Sequence, residues 1–219
     1  MKTKILFMLI TLMISIVSFT GCKKDDDDST PPTPPTTASK AFIDITFTKS
    51  NAYFSTDGSM AAPVDSNQAK TITNKIDITF IYNSSYTEAG FLDPIARSQV
   101  WYWNDYYLPW LNTAIETRFY STSLTKADFD AAQTNEAKIA EYHSSPNTVL
   151  APHAIFPNGS CIGGRQSSNP NSLLLAEDRV FAFKNTASGK RGLLYIRADQ
   201  AIGWPTINSP TKVDILREN

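Results

Sequence analysis

The sequence predicts one β-rich α+β domain, an antiparallel sheet or sandwich with one clear helix and an aromatic-rich helical insertion. Three observations lead to this fold class. Apolar and polar residues alternate over 41–48 and 76–82, which is the two-residue period of a half-buried strand. Two apolar runs near the C-terminus flank a Gly-bearing loop, a pattern typical of a β-hairpin. A strong capping signal followed by helix-forming residues occurs at about 125–143.

The first half of the domain contains two similar alternating segments. Residues 41–48 form the first predicted strand, and 51–55 are interpreted as its continuation after a kink. The pentapeptide Ile-Asp-Ile-Thr-Phe occurs at 43–47 and again at 76–80. A duplicated unit is conceivable, but the residues that flank the two copies match poorly. We therefore expect two similar strands in one sheet.

A helical segment follows at Asp93-Pro94, where Asp stands at the N-cap and Pro at the first helical position. The pattern allows this helix to run to Tyr107, because Pro109 then stops it. A second short helix is predicted at 110–115, and a strand follows near 117–121.

The clearest predicted helix, 125–143, opens at Thr125, and Asp128 completes the spacing of a capping box. Residues 148–156 are interpreted as a strand that a proline interrupts. Because Gly, Ser, Asn and Pro dominate 158–171, that segment is interpreted as a loop.

The C-terminal segment predicts three strands. Residues 179–184 and 191–197 form the hairpin, and 212–216 form the closing strand. The second hairpin strand is apolar on both faces, so it is expected to be central in the sheet.

The N-terminus has the features of a signal peptide, residues 1–21. A basic stretch precedes an apolar run over 5–19, which is shorter than the roughly 20 residues that a membrane-spanning helix needs. Ser18-Phe19-Thr20-Gly21-Cys22 resembles the lipobox of bacterial lipoproteins, with Phe19 in place of the usual Leu. The resemblance implies that Cys22 carries the lipid, palmitate included, and begins the mature chain. An ordinary signal peptide followed by a chance cysteine is the alternative.

Residues 22–39 are predicted to be a lipidated tether. Lys23 and Lys24 precede four aspartates, and a Pro/Thr-rich stretch follows that favours extended conformations. Lysine and acidic residues directly after the lipidated cysteine resemble the surface-export signal of Bacteroidetes lipoproteins. This implies an outer-membrane anchor with the protein facing the cell surface; a periplasm-facing protein is the alternative. Residues 40–219 are expected to form a single globular domain.

The C-terminal segment also resembles such lipoproteins. The stretch Phe-Lys-Asn-Thr-Ala-Ser-Gly-Lys-Arg-Gly-Leu-Leu-Tyr-Ile and the later Lys-Val-Asp-Ile, within 179–216, are similar to the C-termini of Bacteroidetes lipoproteins that have no assigned activity. Residues 123–130 match more loosely. The resemblance implies a β-rich fold and supplies no activity.

Residues 101–110 contain six aromatic side chains, more than one buried face can accommodate. Exposed Trp and Tyr rings with Asn and Asp alongside suit sugar rings, because their flat faces stack while polar neighbours bind the hydroxyl groups. The predicted ligand-binding residues are Trp101, Trp103, Asn104, Tyr107 and Trp110. The alternative is that these rings belong to the core between helix and sheet.

Gly159-Ser160-Cys161-Ile162-Gly163 has the spacing of a nucleophile elbow with cysteine at its centre. His143 or His153 is the available base. Pro157-Asn158 directly precedes this segment, and neither a helix nor an alternating β-α pattern follows it, so a loop cysteine without a catalytic role is the favoured interpretation. The two histidines have no metal-site spacing, and the sequence suggests neither a metal nor a cofactor.

The composition narrows the classes of function. The chain carries 20 basic and 21 acidic residues, and removing Lys2 and Lys4 with the signal peptide leaves 18 − 21 = −3. A nucleic-acid surface needs a clustered basic face, which the sequence lacks. We expect a non-enzymatic, membrane-tethered binding or accessory protein for a glycan or another extracellular polymer. A hydrolase that uses Cys161 or carboxylates, and an adhesion protein that recognises a protein partner, are the alternatives.

Overall fold

A computed structural model describes residues 36–83, 88–99, 107–151, 161–163, 178–198 and 210–219. Within these ranges, strands and helices follow in chain order. The strands are β1 (Lys40–Phe47), β2 (Tyr53–Phe54), β3 (Ile78–Asn83), β4 (Glu88–Leu92), β5 (Thr117–Ser121), β6 (Val149–Leu150), β7 (Cys161–Gly163), β8 (Arg179–Asn185), β9 (Arg191–Ile196) and β10 (Thr211–Arg217). The helices are α1 (Ser66–Thr71), α2 (Pro94–Gln99), α3 (Lys126–Thr134) and α4 (Ala137–His143), with 3₁₀ helices at Thr73–Lys75 and Pro109–Thr113.

The strands form two antiparallel sheets. Sheet A has six strands in the order β1-β10-β9-β8-β5-β6, and sheet B has four in the order β2-β3-β4-β7. Every described pairing is antiparallel. The predicted β-rich α+β fold class with antiparallel sheets is therefore confirmed.

The main core lies between the inner faces of the two sheets. The ring of Phe47 on β1 lies 5.8 Å from that of Phe80 on β3 and 5.0 Å from that of Phe91 on β4. All three rings are buried, together with Phe119 and Phe183 from sheet A. Since each buried aromatic side chain contributes about 1.5–3 kcal/mol, these contacts hold the two sheets together.

Helices cover the outer faces of both sheets. Phe129 of α3 and Ile139 of α4 pack on Leu193 of β9 and its neighbours in sheet A. On the other side, Ala96 of α2 packs on Leu92 of sheet B. Because β9 lies between β10 and β8 and is covered on both faces, its predicted central position is confirmed.

The two copies of the pentapeptide lie in different sheets, so the prediction of one sheet is wrong. Residues 43–47 belong to β1 of sheet A, whereas 78–80 belong to β3 of sheet B. Ile45 and Phe47 of the first copy and the corresponding Ile78 and Phe80 of the second pack into the same core, whereas Ile43 is exposed. Alternation identifies the face that is buried, but it does not identify the neighbouring strand.

The predicted helix at 125–143 is two helices. Thr125 and Asp128 form the predicted capping box at the start of α3. Asn135 then adopts an extended conformation, with φ −138° and ψ 97°, which ends α3. The Asn135 side chain accepts a hydrogen bond of 3.1 Å from the backbone N–H of Ala137, and α4 begins there. Asn favours such local caps over helix interiors, and this explains the break.

Two further predictions need correction. Residues 158–171 are not entirely loop, because Cys161–Gly163 pairs with β4 as strand β7. The segment 51–55 does not continue the first strand, because its strand Tyr53–Phe54 pairs with β3 in sheet B. Strands β4 and β7 and helix α1 are elements that the sequence patterns did not predict.

The remaining predicted elements agree with the structure where it describes them. Pro94 begins α2, and the Asp93 carboxylate accepts a hydrogen bond of 3.0 Å from the N–H of Ile95, as expected of an N-cap. The rest of that predicted helix, 100–106, lies outside the described residues. The described part of the chain contains no helix with the length and apolarity needed to span a bilayer.

Candidate functional site

The structure describes two of the five predicted ligand-binding residues. Tyr107 and Trp110 are both half-buried, whereas Trp101, Trp103 and Asn104 lie outside the described residues. The candidate site is therefore built here from Trp110 and its neighbours.

Trp110 lies on the 3₁₀ helix Pro109–Thr113, whose position is well determined by its flanks. Pro109 pre-sets the backbone for the first helical position, and the buried Leu111 anchors the turn in the core. The backbone N–H of Leu108 donates a hydrogen bond of 2.8 Å to the carbonyl of Arg97 at the end of the neighbouring helix. The scaffold thus holds the Trp110 ring in place while leaving part of it exposed.

Trp110 belongs to a chain of contacts with one further ring and two cations. Its ring centroid lies 5.2 Å from that of Tyr53, and the Nζ of Lys70 lies 5.8 Å from the Trp110 centroid. On the inner side, the guanidinium of Arg97 lies 5.8 Å from the Tyr53 ring. We call Tyr53, Lys70, Arg97 and Trp110 the Trp110 patch.

Exposure differs across the Trp110 patch. Arg97 and Tyr53 are buried at 6% exposure each, Trp110 is half-buried and Lys70 is exposed. Desolvated and exposed cation–ring contacts contribute about 2 and about 0.5–1 kcal/mol respectively, so the inner contact is the stronger one. The patch therefore has a fixed inner layer, and its outer layer of indole ring and lysine faces solvent.

Cys161 does not occupy the context that a nucleophile elbow needs. It is 5% exposed, it lies in strand β7 opposite Leu92, and it packs with Ile81, Leu92 and Ala96 on the outer face of sheet B. A nucleophile elbow places its reactive atom in the open at a turn from strand to helix. The location of Cys161 in a strand also corrects the prediction of a loop cysteine.

His143 lies against sheet A, whereas Cys161 lies in sheet B. His143 ends α4, and its Nε2 lies 3.2 Å from the carbonyl oxygen of Gly192 on the outer face of sheet A. Burial lowers the pKa of His143 below its usual value, against the effect of that carbonyl. Both sheets separate His143 from Cys161, so the two do not form a nucleophile–base pair. His153 lies outside the described residues.

A second polar centre, which sequence reasoning missed, is built around Asp77. Asp77 is 1% exposed and directly precedes β3. Its carboxylate accepts a 3.0 Å hydrogen bond from the N–H of Thr56, a second from the Thr56 hydroxyl, and a 3.1 Å bond from the Asn185 side-chain amide. Arg217 donates a bond of 2.9 Å to the Thr56 carbonyl. Asp77 thereby connects sheet B to β8 of sheet A.

Asp93 is a second buried carboxylate at the same end of the sandwich. It is 2% exposed and accepts a hydrogen bond of 3.3 Å from the N–H of Thr117, the residue that pairs with Asn185 across β5 and β8. Burial raises the pKa of Asp77 to about 7, against the hydrogen bonds from Thr56 and the charge of Arg217. Burial likewise raises the pKa of Asp93 to about 7, against hydrogen bonds from two backbone N–H groups.

The pKa values of Asp77 and Asp93 lie in the range that general acids and bases use, but both carboxylates are buried and hydrogen-bonded to protein groups, as structural residues are. A group that exchanges protons with a substrate must reach it, and both carboxylates are almost fully enclosed by protein. In the pentapeptide, Asp44 and Asp77 occupy the same polar position of the alternation, so the pattern predicted a solvent-facing side chain for both. The burial of Asp77 comes from Thr56 and Asn185, which are distant in sequence.

Within the described ranges, no group of three or more His, Cys, Asp or Glu residues is arranged to hold a metal ion. Comparisons with protein-family models, with curated proteins and with solved structures find no match for the chain.

Proposed function

We propose that this protein is an exported, lipid-anchored binding protein that recognises an extracellular glycan through the Trp110 patch and the adjoining aromatic segment 101–110. Cys22 would anchor it to the outer membrane, with the globular domain facing the cell surface beyond the tether 22–39. The observation that carries the binding proposal is the half-exposed Trp110 ring, which a buried scaffold holds in place.

A pre-positioned ring favours binding because little conformational entropy is lost when the ligand arrives. The Trp110 ring packs against the buried Tyr53 ring, and the exposed Lys70 lies over it. Sugar rings present C–H groups that stack on such a surface, while their hydroxyl groups bind polar neighbours.

Lipidation is tested by replacing each cysteine separately. Cells that express the full chain are labelled with a palmitate analogue, and membrane and soluble fractions are compared. We expect Cys22→Ser to abolish labelling and release the protein from the membrane fraction, while the Cys161→Ser control keeps both. Labelling that persists in Cys22→Ser contradicts the anchor. Digestion of intact cells by an added protease distinguishes a surface-facing from a periplasm-facing protein.

Glycan binding is tested with the full chain in detergent micelles against a panel of polysaccharides. We expect saturable binding of at least one polysaccharide, lost in Trp110→Ala and retained in Tyr142→Ala, a control ring that packs on sheet A on the other side of the sandwich. Chromatography of the incubated glycan detects breakdown products, and their appearance would favour the hydrolase alternative. If no glycan binds but a surface protein is retained through the same residue, the adhesion alternative replaces the proposal.

A further inference from the structure

We infer that the glycan bound at the Trp110 patch is acidic, a polymer of uronic acids, rather than neutral. This inference rests on the proposed function and specifies its ligand. It follows from the position of Lys70 over the Trp110 ring and from the distribution of charge along the two segments that meet there.

Among the described residues, Lys70 supplies positive charge at the outer side of the patch without an ion-pair partner, whereas the charge of Lys75 acts on Asp57. Lys70 and Lys75 are both exposed, and neither forms an ion pair with a carboxylate of the described residues. The segment 66–75 that carries them contains no acidic residue, and the described segment 107–115 that carries Trp110 contains no charged residue, although Asp105 precedes it in the sequence.

The carboxylate nearest to Lys70 in sequence is already engaged. Asp65 caps α1, where it accepts hydrogen bonds of 2.8 and 2.9 Å from the N–H groups of Asn67 and Gln68. It therefore lies at the N-terminal end of α1, whereas Lys70 lies in the last turn. An anion that arrives at Trp110 meets Lys70 without a competing carboxylate on α1.

The location of Lys70 discriminates between neutral and acidic sugars. Because the ammonium lies over the indole ring, a sugar that stacks on this ring must displace the lysine or pair with it. A neutral sugar loses the cation–ring contact, and hydroxyl groups replace it only weakly. A uronic acid gains a charge-assisted hydrogen bond to the same ammonium, and such bonds are about twice as strong as neutral ones.

The buried residues of the patch keep the Trp110 ring in position. The buried Tyr53 ring packs against Trp110 and the buried Arg97 packs against Tyr53, and neither contact depends on Lys70. The exposed lysine contact contributes only about 0.5–1 kcal/mol, so a ligand carboxylate can redirect Lys70 at low cost. The patch thus offers a fixed aromatic surface with a movable cation at its side.

The test compares polygalacturonate with neutral galactan, using the full chain in detergent micelles. We expect polygalacturonate to bind more tightly than galactan, and added salt to weaken only the polygalacturonate complex. Lys70→Gln should raise the Kd for polygalacturonate on the order of tenfold, the loss that corresponds to one hydrogen bond between charged groups. Lys184→Gln is the matched control, because Lys184 is exposed on β8 on the face of sheet A that α3 and α4 cover.

The outcomes separate this inference from the proposed function. Galactan binding that equals polygalacturonate binding, requires Trp110 and does not change in Lys70→Gln overturns the acidic ligand but leaves the glycan proposal in place. Absence of binding to either polymer and to the wider polysaccharide panel overturns both. Binding of polyglutamate as tight as that of polygalacturonate, with equal losses in the Lys70 and Lys184 variants, indicates unspecific attraction of polyanions and also overturns the inference.

Discussion

The buried carboxylate of Asp77 should make the protein more stable in mild acid than in mild base. The pKa of Asp77 is raised by burial from 3.8 to about 7. Between these values the folded state holds the proton more tightly than the unfolded chain, so the free energy of unfolding falls as pH rises from about 4 to about 7. Above about 8 the loss is complete. About three pH units at 1.36 kcal/mol each give on the order of 4 kcal/mol for this group.

The perturbation that isolates this effect is Asp77→Asn, which keeps the shape of the side chain and removes its charge. One amide oxygen can replace the carboxylate oxygen that binds the Thr56 hydroxyl and Asn185. The amide nitrogen then faces the Thr56 N–H, so one hydrogen bond is lost at every pH, at a cost of about 1 kcal/mol. We therefore expect the variant to be more stable than the wild type from pH 5 to pH 8, by a margin that grows from less than about 1 kcal/mol at pH 5 to about 3 kcal/mol at pH 8.

The assay is thermal unfolding of the full chain in detergent, followed by circular dichroism at pH 5, 6, 7 and 8. For a chain of this size, 1 kcal/mol corresponds to a Tm change of about 2–4 °C. Asp57→Asn is the control, because Asp57 is exposed and its pKa is lowered. Burial is the largest single influence and raises that pKa, but the hydrogen bonds with Ser59 and Ser55 and the charge of Lys75 together outweigh it. The reasoning is refuted if wild-type Tm rises from pH 5 to 8 in parallel with Asp77→Asn, since the buried carboxylate is then charged throughout. Asp93 adds a second contribution in the same window, so the variant keeps part of the slope.

Three further predictions concern stability and reactivity. Thr125→Ala removes the capping box of α3 and should cost about 1 kcal/mol, a Tm loss of about 2–4 °C that Thr134→Ala, at the other end of the helix, should not reproduce. In Gly192→Ala, the new Cβ would overlap the Phe183 ring and the Leu216 carbonyl. Because the backbone carbonyl cannot move aside as a side chain can, we expect the free energy of unfolding to fall by about 3 kcal/mol or more. A Tm within about 2 °C of the wild type would show that β9 has room for a Cβ at this position. Cys161→Ser places a hydroxyl in the cluster of Ile81, Leu92 and Ala96 and should lower Tm more than Cys161→Ala does. The Cys161 thiol should react with a thiol reagent only after unfolding, and rapid labelling of the native protein would contradict its burial.

The candidate site was predicted only in part. Trp110 and Tyr107 were selected for their aromatic character, and the structure places both between core and solvent. No local pattern pointed to Lys70 or Arg97, because Lys70 of α1 contacts the Trp110 ring and Arg97 of α2 contacts the Tyr53 ring, and each pair is separated in sequence. The sequence shows that aromatic side chains able to bind a ligand are present. Which cations lie beside them depends on which segments pack together in the fold.

Asp44 and Asp77 show most clearly where local inference ends. Both occupy the second position of an identical pentapeptide, with the same alternation on either side. Asp44 lies at a bulge of the edge strand β1 with φ 57°, exposed and paired with Arg197. Asp77 is enclosed by Thr56 and Asn185 with its pKa raised by burial to about 7.

The sequence by itself determined the elements whose signals are local. Alternation located β1, β3 and the β8–β9 hairpin, and capping residues located the starts of α2 and α3, because strand period and cap hydrogen bonds involve only neighbouring residues. The tertiary structure alone decided which sheet each strand joins, that Cys161 lies in a strand, and which aspartate is buried. Those outcomes depend on contacts between residues far apart in the chain. The aspartate of the same pentapeptide is therefore exposed and ion-paired in one copy, and buried with a raised pKa in the other.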